Sequence, residues 1–146
     1  MKRSVAIMFV ACSMMLGCGD RYTQVPIAST AAVSKEWTEI RPLRPLHWTQ
    51  PVEELSFHID SPHDIGPHAE ILGPGGEKVV PDVELVASDG KTYTMDEHGF
   101  WGEDMFFSRD KLSDSVAIQV IRIRSRLPLH ISNLIWRGYD PAKVKR

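Results

Sequence analysis

A chain of 146 residues is long enough for one domain and short for two. It is 42% hydrophobic and 25% charged, which excludes a wholly disordered chain and a collagen-like fibre. The formal net charge is −2, so no bulk positive field points to nucleic acid.

Met1, Lys2 and Arg3 form a positive start, and an apolar run follows from Val5 to Leu16. About a dozen apolar residues suit the h-region of a signal peptide, whereas a bilayer span takes about 20. The run ends in Met15-Leu16-Gly17-Cys18, then Gly19-Asp20. This segment resembles the lipobox of bacterial lipoproteins. Phe9-Val10-Ala11-Cys12 is a second possible box, but it leaves a much shorter apolar run before it. The resemblance implies cleavage after Gly17, a diacylglycerol thioether on Cys18, and attachment to a membrane in the cell envelope. An Asp directly after the lipidated Cys is the family's inner-membrane retention signal. Gly19 stands there instead, which favours the outer membrane. Cys12 would leave with the signal and Cys18 would carry lipid, so no disulfide is expected.

The expected organisation is a signal peptide over 1–17, a flexible tether over 18–35, a β-sandwich over 36–140 and a basic tail over 141–146. Residues 19–35 are small and polar, with no sustained alternation. Ala31-Ala32-Val33 could form one helical turn. From Trp37 onward, short alternating runs are separated by turn residues. Leu55, Phe57 and Ile59 alternate with Ser56 and His58, and Asp60-Ser61-Pro62 closes that strand. Ala69 to Leu72 reads as a short strand before Gly73-Pro74-Gly75-Gly76. Val83, Leu85 and Ala87 lead into an Asp89-Gly90 hairpin turn and a return strand, Lys91 to Met95. Met105 to Ser108, Val116 to Ile123 and Leu129 to Trp136 follow. Apolar residues fall on both parities of Val116–Ile123, which predicts either cover on both faces or a bulge. Ser108 to Ser113 could hold a short helical turn, but no longer segment carries a helical stripe. The fold class is all-β, a sandwich or jelly roll of about seven or eight strands. The Trp-rich entry, the Asp-Gly hairpin, the run ending Phe107-Ser108 and the closing strand Ile131–Trp136 resemble galactose-binding, discoidin-like jelly rolls. That likeness assigns no ligand residue.

Several clusters carry chemistry. His58, His63 and His68, with Asp64, offer metal-ligating side chains without any established spacing. Asp96, Glu97, His98, Glu103 and Asp104 surround Gly99-Phe100-Trp101-Gly102. This acidic loop could supply an acid and a base to a small envelope hydrolase. It could equally offer aromatic faces and carboxylates to a partner, and Phe100, Trp101, Glu103 and Asp104 are the binding candidates. The opposing reading plugs both rings into the core. No catalytic residue, metal site or cofactor is assigned. Trp37, Trp48 and Trp136 are expected at or near the core. Arg122, Arg124 and Arg126 are expected on a solvated face, paired with carboxylates. The expected function is a membrane-anchored, non-catalytic module for an envelope protein or a glycan.

The lipobox gives the first test. Cys18→Ser should abolish incorporation of a fatty-acid probe and move the protein to the soluble fraction. Unchanged membrane partition would contradict the anchor.

Overall fold

A computed structural model of the chain describes residues 22–48, 50–95, 97–110, 112, 115–139 and 142; Cys18 lies outside them. Among the described residues the regular structure is almost entirely β. In chain order the strands are β1 (Tyr22–Val33), β2 (Thr38–Ile40), β3 (Leu46–His47), β4 (Val52–Ile59), β5 (Asp64–Ile65), β6 (Ile71–Leu72) and β7 (Lys78–Val79). They continue as β8 (Asp82–Ala87), β9 (Thr92–Thr94), β10 (Glu97–Trp101), β11 (Asp104–Asp110), β12 (Ala117–Arg124) and β13 (Leu129–Tyr139). One sheet has the order β1-β13-β4-β11-β10, and the other β2-β12-β8-β9 with β3 also on β12. Their pairings are antiparallel. A small β5-β6-β7 sheet lies beside them.

The core forms where the two large sheets face each other. Leu55, Phe57, Ile59, Met105, Phe107, Ile131, Leu134 and Trp136 come from the first sheet. Leu46, Val83, Leu85, Ile118, Ile121 and Ile123 come from the second. This is the expected β-sandwich. The strands are more numerous than the seven or eight expected because six of them are only two or three residues long.

The predicted alternations settle as expected where they are cleanest. In β4, Leu55, Phe57 and Ile59 point inward. The Asp89-Gly90 hairpin forms, with Gly90 at φ +78°. Asp89 accepts from the Lys91 N–H at 2.9 Å and from the Tyr93 hydroxyl at 2.8 Å. The double apolar parity of β12 resolves into a bulge. The register against β8 shifts between Ile118 and Val120, so Ile118 and then Ile121 and Ile123 all reach the core.

Five expectations need correction. The stretch assigned to a tether is strand β1 from Tyr22 onward, paired along its length with β13. Ala31-Ala32-Val33 belongs to that strand and forms no helical turn, and Val33 is buried. Pro26 is tolerated because β1 is an edge strand, and the register shifts directly after it. The acidic loop is mostly a hairpin: β10 and β11 pair from Glu97↔Ser108 to Trp101↔Asp104. The expected helical turn after Ser108 is overtaken by β11, which runs on to Asp110. The expected strand Ala69–Leu72 shrinks to Ile71–Leu72, since Ala69 takes φ 57° and leaves the extended region.

Strand β1 generates the second test. A chain of residues 36–146 lacks it, strips cover from β13 and loses Val33 from the core. Burying one Val is worth about 1.5–3 kcal/mol. Denaturant melts of 36–146 should therefore lie at least about 2 kcal/mol below those of 22–146. Equal stability would mean that β1 is dispensable.

Candidate functional site

The outward face of the five-stranded sheet gathers polar and aromatic side chains in registered rows. One row crosses Glu97, Ser108, Glu54, Arg137 and Gln24. The next crosses Gly99, Phe106, Ser56, Ile135 and Pro26. The third runs Trp101, Asp104, His58 and Ser132. Strands lie about 4.8 Å apart, so four spacings make a face roughly 19 Å wide.

The aromatic part of the face follows from a missing side chain. A Cβ on Gly99 would lie 2.6 Å from the Phe106 ring, so only glycine lets that ring cross β10. Trp101 stacks on Phe106 with ring centroids 5.2 Å apart and planes at 25°. Its outer face stays open, and the residue is 61% exposed. Gly102, at φ +62°, makes the turn that ends β10 directly after Trp101.

The acidic part centres on Glu54, which is 2% exposed. Loss of water pushes its carboxyl above the ordinary value of 4.5, while the Arg137 charge and the Trp101 indole donor pull the other way. The Arg137 guanidinium stands 3.8 Å from Glu54 Oε1. Ser108 donates to Glu97 at 3.4 Å. His58 Nδ1 lies 3.0 Å from Asp104 Oδ1, and Ser132 Oγ donates to Asp60 at 3.0 Å.

The binding candidates separate accordingly. Trp101 and Asp104 belong to the outward face. Phe100 is half-buried and packs against the core, because alternate residues of β10 point opposite ways. Glu103 is exposed in the turn. The acid–base cluster does not converge. Glu97 and Asp104 stand at opposite ends of the hairpin, about 13 Å apart along β10. The His98 ring lies on the inner side, 6.0 Å from the Phe107 ring. Asp96 lies outside the described residues.

The histidines also go separate ways. His58 meets Asp104, and His63 Nδ1 lies 2.7 Å from the Ser61 carbonyl. The His68 backbone donates to Glu70 at 2.7 Å. Among the described residues no group of three His, Cys, Asp or Glu is placed to hold a metal ion. Trp48 and Trp136 are core residues in edge-to-face contact at 5.3 Å. Trp37 is half-buried under the Arg124 guanidinium, 4.3 Å from its ring centre. Arg122 meets Glu39 and Glu84, and Arg124 meets Asp82 at 2.8 Å.

Sequence reasoning missed Glu54, Phe106, Ser108 and Arg137. Phe106-Phe107 held one usable signal: adjacent strand residues face opposite ways, so one ring had to leave the core. No family model, curated protein or solved structure matches the chain.

Glu54 gives the third test. A carboxyl with a raised folded value holds its proton more tightly in the folded chain than in the unfolded one. Its contribution is complete below the unfolded value and is lost as pH rises through the folded value. Glu54→Gln keeps an acceptor for Trp101 and removes the charge. Its melting temperature should exceed that of the native chain at pH 7, and the two should converge below about pH 4.5. A lower melting temperature at pH 7 would mean that the Arg137 attraction outweighs desolvation.

Proposed function

We propose that the protein is a lipid-anchored envelope module that binds a glycan on the outward face of its five-stranded sheet, without catalysis. The observation that carries this reading is Trp101. It is a large ring open on one side, backed by Phe106, with carboxylates and hydroxyls in the adjoining rows. Sugar rings present apolar C–H faces that stack on an indole and hydroxyls that bind carboxylates and serines. Asp104, which is exposed, and the half-buried His58 supply such groups in the same row as the ring. The resemblance to galactose-binding jelly rolls supports the same ligand class.

The lipobox supports attachment through Cys18, and Gly19 after it supports the outer membrane. An envelope protein is the other partner that an exposed Trp suits. The small-hydrolase alternative needs two groups of the acidic segment in one cleft. Of Asp96, Glu97, His98, Glu103 and Asp104, the pair Glu97 and Asp104 is disfavoured, since the two end opposite sides of the hairpin.

Titration of envelope oligosaccharide fragments, followed by tryptophan fluorescence and calorimetry, tests this reading. Trp101→Ala should lose about 2 kcal/mol of binding, near 30-fold, as hot-spot residues do. Its stability should change by less than about 1 kcal/mol, as for other exposed positions. An unchanged affinity in the variant, or no fragment bound by the native chain, would overturn the proposal.

A further inference from the structure

The strands give the domain two distinct ends. At one end Tyr22 pairs with Tyr139, Tyr139 with Val52, and Val52 with Asp110. At the other end lie Asp104 and its partner His58. From Val52 to His58 is six residues along β4, or about 20 Å. Cys18 precedes Tyr22 by four residues, a reach of at most about 14 Å. A lipid on Cys18 therefore holds the Tyr22 end near its leaflet and leaves the Trp101 end further out.

An apolar rim runs from the anchored end to the middle of the sheet, where Val25 pairs with Trp136 and Trp136 with Leu55. A cleft of about 400 Å³ opens there between β1, residues 42–45 and β3, with Glu53 and Trp136 also lining it. Leu43 on its rim is fully exposed, and Val25 is 38% exposed. Five large hydrophobic residues are exposed among the described ones, and two of them meet at this cleft. Pro42 and Pro45 bracket Leu43-Arg44 and limit how far that loop can fold its leucine away. Arg44 places a cation beside the leucine, and Lys143, Lys145 and Arg146 follow within seven residues of Tyr139. An exposed leucine beside an arginine has the make-up of an interfacial membrane contact.

We propose that the domain leans its Val25–Leu43 rim onto the anionic leaflet that holds its lipid, with Leu43 at the acyl boundary and Arg44 among the phosphates. This rests on the anchor reading above. It fixes an orientation in which the Trp101 face stands clear of the membrane.

The test uses the full lipidated chain in vesicles of phosphatidylethanolamine and phosphatidylglycerol. With Cys12 removed and Cys18 in a thioether, Leu43→Cys provides the free thiol for a polarity-sensitive dye. Glu103→Cys in the far turn is the reference. Both positions are exposed, so neither substitution disturbs the core. The Leu43 probe should shift to the blue and be quenched by brominated lipid, while the Glu103 probe should do neither. Flotation with the vesicles but an unquenched Leu43 probe overturns the docking alone. Equal quenching at both positions overturns the orientation. Failure to float overturns the anchor, and the docking with it.

Discussion

Strand β4 is covered on both faces, and the two coverings differ in chemistry. Inward, Leu55, Phe57 and Ile59 are almost wholly excluded from water. Outward, Glu54 and Ser56 are buried as well. The strand is hydrogen-bonded on one edge to β13 and on the other to β11, so it cannot shift to expose the carboxylate. Glu54 is thus desolvated by the fold itself, and its neighbours must answer its charge. Arg137 does so from β13 and the Trp101 indole from β10. The burial of Glu54 and the exposure of Trp101 are linked. A ring that reaches across Phe106 toward a covered carboxyl stands above the sheet and presents its other face to solvent.

Two bulges decide which side chains face which way. In β13 the register against β4 shifts between Ser132 and Ile135, around Asn133 at φ 52°. Asparagine tolerates that conformation better than a branched residue would. The extra residue lets Ile131 and Leu134 both enter the core despite their odd spacing. It also leaves Ser132 outward, bonded to Asp60. The bulge in β12 does the same for Ile118 and Ile121. A strict period of two would have sent one of each pair into solvent.

What the sequence disclosed follows from where apolar contrast exists. Strands β4, β8 and β12 bury one or both faces, so their residues betray them. Strand β1 does not. It is an edge strand with mostly exposed residues, held by its backbone ladder to β13 and by Val33. Small polar residues in such a strand look the same as a tether, and only Pro26 hinted at an edge. The segment Glu97–Trp101 misled differently. Its charges suggested a loop, yet Glu97 and Trp101 face outward while Phe100 packs inward. Glu54 was hidden for another reason. Its partners Arg137 and Trp101 are remote in sequence: register sets Arg137 beside it, and the Trp101 indole reaches it from two rows away.

The site's position on paired strands, rather than on a loop, has an energetic consequence. A binding loop must be ordered when its ligand arrives, which costs affinity. Trp101 is already fixed by the β10–β11 ladder and by its stack on Phe106. Its ring has little freedom left to lose, so more of each contact survives as binding energy. The same rigidity narrows what can bind. The rows cannot rearrange around a bulky partner, and Glu54, Glu97 and Asp104 repel anions at close range. A neutral, hydroxyl-rich ligand avoids that repulsion and can use both the carboxylates and the open indole face. The glycan proposed for the outward face is therefore expected to be neutral rather than anionic.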